Sequence, residues 1–222
     1  MKILAVVSHP DDEVLGCGGT LIKHAQKKDS VCLCILGKGV ASREIAENEK
    51  KIRVSDTGKD TKQAAGILGV DKIYQFDYPD NMFDSVPMLK IVKDVEKVVD
   101  SVKPDVIYTH FGKDLNIDHR ITFDSVITAC RPVGDRKKIR IFSFETLSST
   151  EWQKTPFNPD YYVNISGQID SKIKAIREYK GEIRKYPHPR SEEGIRTLAK
   201  YRGMQAGVDY AEGFEMIRSL SD

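Results

Sequence analysis

In "SHPDDE", residues 8–13, one histidine and three consecutive acids flank a single proline. Crowding like charges costs free energy unless something positive sits among them. His9, Asp11, Asp12 and Glu13 are also the residue types that hold a divalent cation. His9 and Asp12 lie three apart across a tight turn, so both can reach one ion. Asp11 then points elsewhere and keeps its carboxylate free to move a proton. A catalytic zinc-type site takes three ligands from His and Asp/Glu and leaves a fourth position for water. A bound dication would also offset the repulsion among the acids. Three histidines are candidates for the third ligand: His110, His119 and His188. His24 lies within a helical pattern and reads as a helix-surface residue. His119 has the most informative setting. In "DLNIDHR" (114–120) it opens a helix beside Asp114, Asn116 and Asp118, acceptors able to orient an imidazole ring.

These residues need a scaffold, and the hydrophobic pattern supplies one. "KILAVVS" (2–8), "SVCLCILG" (30–37), "DKIYQFD" (71–77), "KPDVIYTH" (103–110) and "KKIRIFSFE" (137–145) read as strands. Helical patterns separate them at 18–28, 59–69, 86–102 and 117–131. Strand and helix in alternation predict a Rossmann-like, three-layer α/β/α fold with a mostly parallel sheet. Such sheets bind ligands beyond the carboxyl ends of their strands. HPDDE follows the first strand, "DYPDN" the third and "HFGKDLNIDH" the fourth, so the polar segments converge on one edge. After Glu145 a loop with a short strand precedes helices expected at 167–185 and 191–206, separated by "YPHPRS" (186–191). The chain is expected to form a single domain, 1–222, with a C-terminal helical elaboration.

Among 222 residues, Lys+Arg number 35 and Asp+Glu 33, a formal charge of +2 that argues against nucleic acid as a partner. The basic cluster Arg136-Lys137-Lys138 reads as a solvated turn or strand entrance. Cys32 and Cys34 alternate onto one strand face, and none of the four cysteines has CxxC spacing. Small buried hydrophobes and a reducing cytoplasm are the matching expectations. The apolar run before HPDDE is too short for a signal peptide, and no run approaches the roughly 20 residues of a membrane span.

"SHPDDEVLGCGGT" together with "DLNIDHR" resembles the LmbE-like (PIG-L) zinc N-deacetylase family. The resemblance extends through "LGVDKIYQFDYPDN", "KPDVIYTH" and "HPRS…YRGMQAG…YAEGFE", nearly the whole chain. It implies removal of acetyl groups from N-acetylglucosamine-type sugars or glycoconjugates. By position it makes His9, Asp12 and His119 the metal ligands and Asp11 the general base. Zn2+ is the implied cofactor, with Fe2+ or another divalent ion also accepted by such a donor set. Some members carry His-x-x-His at the second motif. Here the first of those positions is Asn116, so a proton donor for the leaving amine is not carried over. His188 or His110 is a candidate for that role, as is Asp11 itself.

Asp80 and Asn81 lie where a sugar hydroxyl could be read, or form a Pro-Asp turn. Arg190 suits a phosphate or carboxylate of the substrate, or pairs with Glu192 or Glu193. The cluster Gly16/Gly18/Gly19 suits close approach of helix and sheet. Glu13 is expected to support the loop. A nucleotide-binding module is disfavoured, because the glycines read G-C-G-G and acids occupy the place of a pyrophosphate. A non-catalytic sugar-binding protein, a metallo-amidase acting on a non-sugar amide and a homo-oligomer all stay open.

Overall fold

Strand β1 (Lys2–Val7) is buried from Ile3 onward and is the third strand of a seven-stranded sheet of order β3-β2-β1-β4-β5-β7-β6. The structure, a computed structural model, describes residues 1–39 and 47–221, with side chains described except at 47–57, 135 and 137. The other strands are β2 (Ser30–Gly37), β3 (Lys72–Tyr78), β4 (Val106–His110), β5 (Arg140–Phe144), β6 (Tyr161–Asn164) and β7 (Ala211–Arg218). Strands β1 to β5 are parallel, while β7 runs antiparallel to both β5 and β6.

The helices are α1 (Asp12–Gln26), α2 (Glu47–Leu68), α3 (Met88–Val102), α4 (Ile117–Ala129), α5 (Ile169–Glu178) and α6 (Glu192–Ala206). Alternation along β1 sends Ile3, Ala5 and Val7 into one core with α1, α2 and α5. Leu4 and Val6 go to the opposite core, with α3 and α4. Cys32 and Cys34 join that second core, and all four cysteines are free and buried. The result is the three-layer α/β fold expected from the alternation of elements. No helix among the described residues is long and apolar enough to cross a membrane.

Several boundaries differ from expectation for physical reasons. Helix α1 starts at Asp12, six residues before the predicted 18, because its glycines are helical. A Cβ on Gly16 would lie 2.1 Å from Phe144 Cδ2, and one on Gly19 2.8 Å from Ile165 Cγ2. Close packing therefore outweighs the low helix propensity of glycine. The helix kinks at Cys17 (φ −141°). Glu212 of β7 accepts the N–H groups of Gly19 and Thr20, each at 2.8 Å. Lys172 Nζ balances that buried carboxylate at 2.6 Å.

The helix expected over 167–185 is only Ile169–Glu178, since the chain turns through Gly181 (φ 91°) and two prolines. The C-terminal elaboration is thus not purely helical: β6 and β7 extend the sheet. Arg136-Lys137-Lys138 falls in a 3-10 turn, Gly134–Lys138, with the side chain of Lys137 outside the described residues.

Candidate metal centre and catalytic site

The strand order reverses between β1 and β4, and the crevice at such a switch point is where parallel sheets bind ligands. β1 delivers Ser8 and His9 to this edge, β4 delivers His110, and α4 opens with Asp118 and His119. Ser8 Oγ bonds Thr122 Oγ1 of α4 at 2.8 Å, tying the HPDDE turn to that helix.

Asp12, 1% exposed, lies at the middle of the cluster. Its Oδ2 accepts the His9 N–H at 2.8 Å and is 3.3 Å from His110 Nε2. Its Oδ1 faces His119 Nε2 at 3.4 Å and has no hydrogen-bond partner among the described residues. An orphaned carboxylate oxygen in the interior is costly unless a cation or donor completes it. Donor atoms of His9, Asp12 and His119 all lie within 4.8 Å of one another. An overlapping group, His9, Asp80 and Asp118, meets the same criterion.

The imidazoles of His9 and His119 are each braced by a carboxylate. His9 Nε2 lies 2.8 Å from Asp118 Oδ2 and 3.0 Å from Asp80 Oδ1, while its Nδ1 lies 3.5 Å from Asp12 Oδ2. His119 Nδ1 lies 3.0 Å from Asp114 Oδ1. Carboxylates that orient histidines in this way are typical of metal sites. The donor set of two imidazoles and one carboxylate, with a carboxylate oxygen that lacks a hydrogen bond among the described residues, fits a divalent cation.

Charge distribution follows from this crowding. Burial works against a charged His119, but Asp12 and Asp114 outweigh it and hold the imidazolium up to about 9. Burial likewise opposes a charged His9, yet hydrogen bonds to Asp118, Asp12 and Asp80 raise it well above 6.5. Asp12 is driven the other way: burial raises it, and His119 and His110 pull it well below the usual carboxylate range. His110 is pushed down to about 4, first by burial and then by the charge of His119. It accepts the Ser8 N–H through Nε2 at 3.0 Å and stacks on His119 with centroids 3.9 Å apart. A neutral, packed His110 is no proton donor near neutral pH.

Asp11 is set apart by its backbone. Its φ of 104° is left-handed, a conformation costly for a residue with a Cβ and favoured at functional turns. The carboxylate is directed to Arg190 Nη1, at 2.8 Å. Burial raises the Asp11 carboxyl well above 3.8, Arg190 lowers it, and Asp12, Glu182 and Glu13 raise it further. Glu13 supports the turn, accepting the Asp11 N–H at 3.1 Å and the Tyr179 hydroxyl at 2.5 Å. Burial raises Glu13 to about 7.

Other expectations are redistributed. Of the three acceptors assigned to His119, only Asp114 touches it. It also accepts the hydroxyls of Ser149 and Thr150. Asp118 instead holds His9 and accepts the N–H groups of Asn81 (2.6 Å) and Phe83 (3.0 Å). Asn116 caps α4, accepting the Asp118 N–H at 2.8 Å, and its amide donates to Asn81. Asp80, considered for a sugar hydroxyl, is buried against His9, and Asn81 (φ 53°) belongs to a turn. Arg190 pairs with Asp11 and, at 3.2 Å, with Glu182. It does not pair with Glu192, which Arg177 holds at 2.6 Å. His188 accepts the Arg190 backbone N–H at 3.1 Å and meets Trp152 edge-on. Among the described residues no hydrogen bond or ion pair joins it to His9, Asp11, Asp12 or His119. His24 is not a free surface residue, since it links Asp29 (2.7 Å) to the Tyr108 hydroxyl (3.1 Å). No local spacing ties Tyr179, Glu182, Ser149 or Thr150 to HPDDE, so their place at the site follows from the tertiary structure.

Residues 4–130 match the PIG-L family, described as GlcNAc-PI de-N-acetylase. The diacetylchitobiose deacetylase of Thermococcus kodakarensis is 26% identical over 99% of this chain and 84% of its own length. Among solved structures, the conserved protein TT1542 of Thermus thermophilus superposes with a TM-score of 0.80 at 25% identity. That match covers 100% of this chain and 97% of the other. GalB of Pseudomonas putida, a 4-carboxy-2-hydroxymuconate hydratase, also gives a TM-score of 0.80, at 22% identity over 100% of this chain and 98% of its own.

Proposed function

This chain belongs to the PIG-L family of N-acetyl-sugar deacetylases, and on that premise we propose that it hydrolyses the acetamide of an N-acetylglucosamine-type sugar or glycoconjugate with help from a divalent cation. The observation that carries the proposal is the division of labour between adjacent aspartates. Asp12 Oδ1 faces His119 Nε2 and has no hydrogen-bond partner among the described residues, while the left-handed turn commits Asp11 to Arg190.

His9 through Nδ1, Asp12 through Oδ1 and His119 through Nε2 would hold the cation, zinc in the first instance. The chemistry a bound cation supplies is water activation near neutral pH and polarisation of the amide carbonyl. Asp118 and Asp80 keep the His9 ring in place, and Asp114 does the same for His119. Asp11 accepts the proton of the attacking water on its carboxylate and returns it to the departing amine. A pKa raised by burial suits both steps. Arg190 holds that carboxylate in one orientation. Asn116 is committed to the helix cap and its amide does not titrate, which leaves proton return to Asp11.

The fold alone does not select the reaction, as the hydratase GalB illustrates. The amide reading rests on the family match and the site. Its test is acetate release by metal-loaded protein from N-acetylglucosamine, its β-1,4 dimer, a nucleotide conjugate and an N-acetyl amino acid. Release from a sugar amide, abolished by chelator and restored by Zn2+ or Fe2+, is expected. Release from the amino acid alone would favour a non-sugar amidase. No release from any amide by folded, metal-loaded protein would reject hydrolysis.

A further inference from the structure

A cavity of about 230 Å³ opens at the end of the sheet opposite HPDDE, lined by residues that include Val106 and Arg140 at the starts of β4 and β5. Its floor is aromatic. Tyr108 and Phe142 stack with centroids 5.7 Å apart, and Tyr161 closes on Phe142 at 4.7 Å. His24, anchored by Asp29, fixes the Tyr108 hydroxyl. Thr20 also lines the cavity, and its hydroxyl is buried with no hydrogen-bond partner among the described residues. A buried hydroxyl left without a partner is uncommon and marks a place where a polar ligand group fits.

The rim is cationic. Lys23, Lys27 and Arg140 line the cavity, and among the described residues no Asp or Glu does. Several other arginines face carboxylates: Arg136 pairs with Asp100, Arg177 with Glu192, Arg196 with Asp170 and Arg202 with Glu145, while Arg120 and Arg218 donate to backbone carbonyls. Here Lys23 gives one of its three donors to the Asn164 carbonyl, and among the described residues the Arg140 guanidinium donates to the Met1 thioether, a weak acceptor. Lys27 has no ion-pair partner among the described residues. The dipole of α1 favours cations in its last turn, which accounts for the lysines. It does not account for Arg140, which comes from β5.

We propose that this cavity is a second ligand site, separate from the deacetylation centre, for a phosphorylated molecule of monosaccharide size. The sugar ring lies on the aromatic floor and one hydroxyl meets Thr20 Oγ1. The phosphate sits among Lys23, Lys27 and Arg140, whose donors match its charge and its several acceptor oxygens. The volume, below the roughly 300 Å³ at which sites for drug-sized ligands begin, matches a ligand of monosaccharide size.

Calorimetric titration with glucose 6-phosphate, glucose, orthophosphate and AMP tests the assignment. Glucose 6-phosphate should bind roughly tenfold or more tightly than the other three. Lys27→Glu and Arg140→Gln should each weaken it by about tenfold, and Thr20→Val by a few-fold. Lys27 is exposed, so its variant keeps the fold, and its melting curve and acetate release should match the parent. Asp11→Asn should leave this binding unchanged, which separates failure here from failure of the deacetylase reading. Three results would overturn the proposal: no binding, equal binding of orthophosphate, or glucose 6-phosphate binding indifferent to Lys27→Glu. A concentration-dependent dimer broken by Lys27→Glu would also overturn it, assigning the cavity to a second copy of the chain.

Discussion

Asp11→Asn separates metal binding from proton transfer more cleanly than any other single change. Asparagine tolerates left-handed backbone better than most residues, so the turn at φ 104° stays in place. The substitution keeps size and hydrogen bonding but removes the proposed base. General-base catalysis contributes about 10²–10⁴-fold, so kcat should fall by that factor, roughly 3–5 kcal/mol of barrier. Two effects on stability oppose each other. The Arg190 contact at 2.8 Å loses its charge, though Arg190 keeps Glu182 at 3.2 Å. Against this, the Asp11 carboxylate is disfavoured by burial and by three nearby acids, which Arg190 does not fully offset. The neutral amide relieves that penalty. The melting temperature should therefore stay within a few degrees, since about 1 kcal/mol corresponds to roughly 2–4 °C at this chain length. Metal content by plasma mass spectrometry and acetate release by coupled assay are the readouts. The metal stoichiometry should equal the parent's, while His119→Ala should lose both metal and activity. Loss of metal in Asp11→Asn, or kcat within about threefold of the parent, would refute the division of roles, because a true base carries at least about two decades.

Asp114→Asn weakens the grip on His119 Nδ1, and metal affinity should drop about 10–100-fold in competition titrations with a chelator. Without metal, His119 is held up to about 9 against an ordinary 6.5. A raised histidine pKa stabilises the fold fully below pH 6.5 and ceases to do so as pH climbs through about 9, so the metal-free melting temperature should decline across that window. The same proton must leave when metal binds. Calorimetry at pH 7 in buffers of different ionisation heat should therefore detect proton release, and apparent affinity should weaken as pH falls. Gly16→Ala would place a Cβ 2.1 Å from the Phe144 ring. Denaturant unfolding should show about 1–3 kcal/mol of destabilisation, part of it recovered by adding Phe144→Leu.

Short-range pattern made much of the fold legible. The five parallel strands and the four helices that connect them follow from runs of apolar residues whose period is local. The antiparallel strand Ala211–Arg218 was not legible in the same way. It carries acids at 212 and 215, and what makes it a strand is a slot between β5 and β6. The early start of α1 was hidden for a similar reason, because glycine reads as a breaker until Phe144 and Ile165 are seen to occupy the space a side chain would need.

By itself the sequence determined the chemistry on offer: a histidine and three acids in one turn, a second histidine opening a helix after the fourth strand, and a parallel sheet that brings both to one edge. These are matters of residue type and local spacing, which the chain carries wherever it folds. Tertiary structure alone decided the assignments. Asp118 braces His9, not its sequence neighbour His119; Arg190 holds Asp11 from 179 residues away; Tyr179 supports Glu13 across 166. The partner of a buried charge is set by which groups share its desolvated space, and that space exists only once distant segments have packed together.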